Sequence, residues 1–277
     1  MRGISSAVFR APVSRMPTVL RITVVVGLAL GFVLAFLTPA RAAPAYAALG
    51  DSYSSGVGTR EYYDDSGSCQ RSPHAYPVLD AASLGADLTF VACSGAKIPG
   101  VYDQLSALNA STSYVTVSVG GNDAGFTSVL TACAQPWPTT CWDEIDAANA
   151  FIRDTLPGQL DGLYDEIRTR APNARVAVVG YPRLFNGEEC NLIARISPGE
   201  QAALNETADL LATTIGGRAS AHGFVFVDVR EAFTGHAVCD DVEWLNGISN
   251  PLGESYHPNR AGHADGYAPL VAAALRG

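Results

Sequence analysis

An α/β fold built on a parallel sheet is what this sequence predicts, and two observations carry it. Five short apolar runs are too continuous for half-exposed antiparallel strands. The segments between them space their apolar residues as helices do, so strand and helix alternate in βαβ units.

The chain opens with a leader. Arg2, Arg10, Arg15 and Arg21 precede an uncharged apolar stretch from Ile22 to about Leu37, and Ala40-Arg41-Ala42 follows. This is the pattern of a secretory signal peptide spanning residues 1–42 and cleaved after Ala42. An uncleaved membrane anchor is the competing reading, because Ile22 to Ala40 carries no charge over nearly the width of a bilayer. The remainder, 43–277, is long enough for one single-core domain and is expected to be secreted and extracellular. Loss of the leader removes five arginines and no acid, leaving 13 basic against 27 acidic residues and a net charge of −14. Such a surface repels phosphate polymers, so nucleic acid is excluded as a partner.

The first strand, Ala45–Leu49, runs directly into Gly50-Asp51-Ser52-Tyr53-Ser54-Ser55-Gly56. Ligands of open α/β sheets bind beyond the carboxyl ends of strands, so Ser52 is a candidate nucleophile and Asp51 a turn residue. The second run, Leu88–Ala92, ends at Cys93-Ser94-Gly95-Ala96, and the third, Tyr114–Val119, at Gly120-Gly121-Asn122-Asp123. Asp123 is expected to cap a helix from Phe126 to Leu130. Helical spacing then links Ile145 to Ile167, the fourth run is Arg175–Val179, Ala202 to Ala221 is helical, and the fifth run is Phe224–Val229. Pro258-Asn259-Arg260 opens an alanine-rich last helix that continues to Arg276.

Cysteines mark the irregular stretches Arg60–Ser72, Ala132–Asp143 and Gly187–Pro198. An even number in an exported chain implies disulfides, and pairing neighbours (Cys69 with Cys93, Cys133 with Cys141, Cys190 with Cys239) closes separate loops without threading. No Cys-x-x-Cys spacing or paired histidine supports a metal site. His74, His222, His236 and His263 lack chemical context, and Asp240, Asp241 and Glu243 read as a solvated loop. Trp137, Trp142, Phe126, Tyr181 and Phe185 are candidates to line a pocket or to pack these loops.

Acyl transfer needs a nucleophile, a base, and donors aimed at a developing oxyanion. Ser52 supplies the first, His257 of Glu254-Ser255-Tyr256-His257-Pro258-Asn259 the second. The backbone N–H of Ser52, that of Gly95 and the amide of Asn122 supply the third. In order and in context, Gly50-Asp51-Ser52, Gly95, Gly120-Gly121-Asn122-Asp123 and His257 resemble the SGNH hydrolases, also called the GDSL family of lipases and esterases. The similarity spans the mature chain and is strongest to secreted actinobacterial members.

The resemblance implies a flavodoxin-like, three-layer α/β/α domain with a central five-stranded parallel sheet. It also implies an acyl-enzyme on Ser52, no cofactor, an ester substrate met as a small molecule or at a lipid interface, and a monomer. The wider family places an aspartate three residues before the histidine, where this chain has Glu254. Its carboxylate or the main-chain carbonyl at that position would orient His257, and the carbonyl is the expectation. A carbohydrate acetyl esterase and a non-catalytic extracellular binding module are the alternatives on the same fold. No Gly-x-Ser-x-Gly elbow points to the other large esterase fold.

Overall fold

Each of the five apolar runs forms a strand, and the strands join in one all-parallel sheet in the computed structural model, which describes residues 42–136, 138–190 and 196–277. The expected leader, up to residue 41, and Trp137 lie outside the described residues. The strands are β1 (Ala45–Gly50), β2 (Asp87–Phe90), β3 (Thr112–Ser118), β4 (Arg175–Val179) and β5 (Val225–Val227). Their spatial order is β2-β1-β3-β4-β5 with parallel pairing throughout. That order reverses direction between β1 and β3, and the crevice beyond their carboxyl ends is where doubly wound sheets bind ligands.

Helices cover both faces. They are α1 (Ser52–Ser55), α2 (Tyr76–Leu84), α3 (Ile98–Gln104), α4 (Phe126–Cys133), α5 (Trp142–Asp154), α6 (Leu156–Arg170), α7 (Pro198–Ala221) and α8 (Ala268–Arg276). α2 packs with α8, while α3 packs on α6, and α5 and α6 on α7, giving a layer on each side of the sheet. The central strands β1, β3 and β4 bury consecutive residues, as strands covered on both faces must. β2 departs from the continuous burial that its sequence suggested. It is one of the two edge strands, and Asp87 and Thr89 are exposed.

Local chemistry sets the helix ends. The single helical pattern from Ile145 to Ile167 is two helices that break at Thr155, with Pro157 in the first turn of α6, where its missing N–H costs nothing. α7 starts at a capping box, in which Ser197 and Glu200 satisfy each other's backbone N–H groups. The last helix begins with a wider π turn, Gly262–Tyr267, before α8. The three disulfides pair neighbours, Cys69–Cys93, Cys133–Cys141 and Cys190–Cys239.

Candidate active site

The site is built outward from the end of β1. Gly50 sits at φ +125°, and a Cβ there would lie 2.6 Å from the Ser118 carbonyl oxygen of β3, so only glycine fits. Gln104, the last residue of α3, grips this peptide from behind: Gly50 N–H donates to its Oε1 at 2.7 Å, and its Nε2 donates to the Gly50 carbonyl at 2.9 Å. Nothing in the sequence singled out Gln104. A buried glutamine at a helix end is its only signal.

Asp51 is buried, and its carboxylate accepts hydrogen bonds from Tyr53 N–H at 3.0 Å, Ser118 Oγ at 2.7 Å and Tyr181 OH at 2.5 Å. Burial pushes its pKa up to about 6, against the three donors that favour the anion. Facing β3 and the end of β4 in this way, it fixes the turn that presents Ser52.

Ser52 opens α1, and its Oγ lies 2.8 Å from Nε2 of His257. The other ring nitrogen, Nδ1, lies 2.9 Å from the Ser255 carbonyl. A carbonyl only accepts, so Nδ1 carries the proton and Nε2 offers its lone pair to the Ser52 hydroxyl. Burial lowers the His257 pKa to about 4, and the bond to Ser255 opposes the shift. The imidazole is therefore neutral at neutral pH, as a base must be.

The expectation for Glu254 is corrected on both counts. Its carboxylate turns away, accepting from Tyr62 OH at 2.7 Å and pairing with Arg60 at 3.5 Å. Its carbonyl faces Asn246, at 3.4 Å. Tyr256, at φ +60°, bends the chain so that the carbonyl of Ser255, one residue further on, meets the ring.

Two more strand ends converge here. Gly95 turns at φ +77° with open space where a Cβ would project. The loop that carries it is tied down by the Cys69–Cys93 disulfide and by bonds from Cys93 N–H to Gly50 O and from Ser94 N–H to Cys69 O, both 3.0 Å. Asn122 donates one amide hydrogen to the Ala96 carbonyl at 3.0 Å, which fixes the amide plane. Asp123 caps a different helix from the one expected. Its carboxylate accepts from Ile98 N–H at 3.0 and 3.2 Å, at the start of α3 rather than α4, because the turn after β3 faces the loop after β2.

Ser52, Gly95, Asn122 and His257 all line one cavity of about 450 Å³. Its depth is apolar, walled by Leu130 of α4, Ala148 and Ile152 of α5, and Leu204 and Leu211 of α7. Of the aromatic candidates, Phe126 and Tyr181 line it, whereas Trp142 is exposed and Phe185 packs against Tyr256 from outside. The other histidines are engaged elsewhere: His74 with Glu61, His222 with Asp161 and Asp165, His236 with Val242 O, and His263 with Tyr76 N–H. Asp240 and Glu243 accept backbone N–H groups of their own loop. Among the described residues, no group of His, Cys, Asp and Glu is arranged to hold a metal ion.

A flavodoxin-like sheet that brings Ser52 and His257 within 2.8 Å at its carboxyl edge, beside the turns of Gly95 and Asn122, has the layout of a hydrolase site. The chain belongs to the GDSL-like Lipase/Acylhydrolase family, whose pattern matches residues 48–264. It is 45% identical over 234 residues to Lipase 1 of Streptomyces coelicolor, covering 83% of this chain and 86% of that protein. The extracellular lipase of Streptomyces rimosus superposes with a TM-score of 0.80 at 43% identity, covering 84% of this chain and all of that one. Phospholipase A1 of Streptomyces albidoflavus gives 0.80 at 44% identity, with 84% and 99% covered.

Proposed function

We propose that this carboxylic ester hydrolase is a secreted, monomeric esterase that cleaves fatty-acyl esters through an acyl-enzyme on Ser52. His257 Nε2 takes the Ser52 proton as Oγ attacks the ester carbonyl carbon. The oxyanion is held by the N–H groups of Ser52 and Gly95 and by the Asn122 amide, where loss of one donor costs about 10²–10³ in turnover. The tetrahedral adduct collapses, the imidazolium returns its proton to the departing alcohol, and water repeats the sequence on the acyl-serine. No cofactor enters.

The 2.8 Å contact between Ser52 Oγ and His257 Nε2, at the polar end of an apolar cavity, is the observation that carries this reading. A cavity of that size and lining favours a long acyl chain over acetyl. Leu252 lines the cavity mouth and is 75% exposed, which supports contact with aggregated lipid. Secretion is supported by the leader's composition and by the name of the S. rimosus relative, an extracellular lipase. Among the described residues, no helix is long and apolar enough to cross a membrane.

The test is hydrolysis of an ester series from acetate to palmitate, dissolved and emulsified, by the mature protein beside Ser52→Ala and His257→Ala. Each added methylene buried in the cavity should raise kcat/KM about fourfold until the cavity is full. Both variants should fold and be inactive, and a near wild-type rate for either would refute the assignment. A profile that peaks at acetate would favour the carbohydrate acetyl esterase.

A further inference from the structure

One buried hydroxyl ties the turn that bears His257 to the helix that bears Ser52. Tyr53, the residue after Ser52, donates from its OH to the main-chain carbonyl of Tyr256, the residue before His257, at 2.6 Å. The Tyr53 ring is itself held, edge-on to Tyr181 at 5.0 Å, and lies 5.2 Å from the imidazole. From the other side Asn246 clamps the same turn: its N–H donates to the His257 carbonyl, and its carbonyl accepts from Tyr256 N–H, both at 2.9 Å.

This turn needs holding for two reasons. Tyr256 is at φ +60°, a left-handed backbone that a bulky side chain adopts only where its surroundings impose it. The imidazole, in addition, is oriented by the neutral Ser255 carbonyl, which grips a developing imidazolium less strongly than a carboxylate would. The placement of the ring therefore depends on the placement of residues 255–257 as a unit. Asn246 is bonded to the turn through its backbone and comes from the loop that precedes it. Tyr53 reaches the backbone of the turn from the helix that bears Ser52.

We propose that Tyr53 is a positioning residue for acyl transfer, its hydroxyl holding the Tyr256 peptide so that His257 Nε2 stays in line with Ser52 Oγ. This rests on the serine–histidine mechanism proposed above. It gives the tyrosine at this position a function beyond filling the core. Tyr53 borders the cavity, but its hydroxyl is committed to the Tyr256 carbonyl, so its loss is expected to act on turnover rather than on binding.

The test compares Tyr53→Phe with Tyr76→Phe. The second variant removes an equally buried hydroxyl, which meets Ser54 Oγ at 2.6 Å and makes no contact with the base turn. Turnover is taken per Ser52 titrated with an organophosphonate, so that misfolded protein does not enter. Tyr53→Phe should lower kcat about 10- to 100-fold, the cost of displacing a catalytic group by a fraction of an ångström to an ångström, with KM within about twofold. Tyr76→Phe should keep kcat. Nitrogen NMR of the resting enzyme should show a single Nδ1–H tautomer for His257 in the wild type and a mixture in Tyr53→Phe. A kcat within about twofold of wild type, an equal loss in Tyr76→Phe, or a change confined to KM would overturn the proposal. Ser52→Ala separates the two layers: an active Ser52→Ala refutes the mechanism, whereas an inactive one beside a fully active Tyr53→Phe refutes only the positioning role.

Discussion

Glu254 stands where the wider family carries the acid that orients the base, yet its carboxylate is spent on Tyr62 and Arg60. A glutamine there still offers Oε1 to the Tyr62 hydroxyl and loses the ion pair with Arg60, which involves neither Ser52 nor His257. Glu254→Gln should therefore keep kcat within about threefold of wild type, since the imidazole is oriented by the Ser255 carbonyl and not by this carboxylate. A loss as deep as that of His257→Ala would show that the carboxylate is required. The proposed nucleophile and base, Ser52 and His257, were legible in the sequence because each sits in a short block with its own turn chemistry. Neither the Ser255 carbonyl nor the Gln104 clamp was legible. The first depends on one φ angle at Tyr256, and the second acts on backbone, and neither leaves a residue pattern.

Strand ends and helix walls were unequally legible for a related reason. A strand announces itself by an apolar run, and the doubly wound order then brings the ends of β1, β2 and β3 to one edge. The cavity comes instead from how α4, α5 and α7 lean together, which helical spacing does not encode. Two devices hold that wall. The Cys133–Cys141 disulfide joins α4 to α5, and Glu200 of α7, besides closing its capping box, accepts from Cys141 N–H at 3.3 Å. Against so fixed a wall, added bulk displaces substrate rather than helix. Ala148, on the inner face of α5 beside Ile152, is buried and lines the cavity. Ala148→Phe should cut kcat/KM for palmitate at least about tenfold while leaving acetate nearly unchanged, equivalent to about two methylenes of lost burial, and should cost about 1–3 kcal/mol of stability from overpacking. Measured across the ester series, an unaltered chain-length profile would place the acyl chain elsewhere.

For the molecule as a whole, burial of titratable groups sets how stability follows pH. Burial lowers the pKa of His257 to about 4 and of His263 to about 3, so below about pH 6.5 the unfolded chain binds two protons that the folded one refuses, and stability rises with pH. Asp51, raised to about 6, and Asp80, raised to about 8, oppose this. Above about pH 4 the folded chain holds protons that the unfolded one has lost, so their contribution falls as pH rises. Between about pH 4 and 6 two protons on each side cancel and stability is nearly flat. Above pH 7 the histidines and Asp51 have finished titrating in both states, and Asp80 remains. Its Oδ2 is buried and, among the described residues, without a hydrogen-bond partner, which is why desolvation dominates its shift. Stability should then drop by about 1 kcal/mol between pH 7 and 8.5 as the folded carboxyl is forced to ionise. Asp80→Asn keeps the neutral shape and cannot ionise, so urea unfolding of this variant should show that alkaline decline abolished, whatever its stability at pH 7. An equal decline in variant and wild type would assign the loss to other groups.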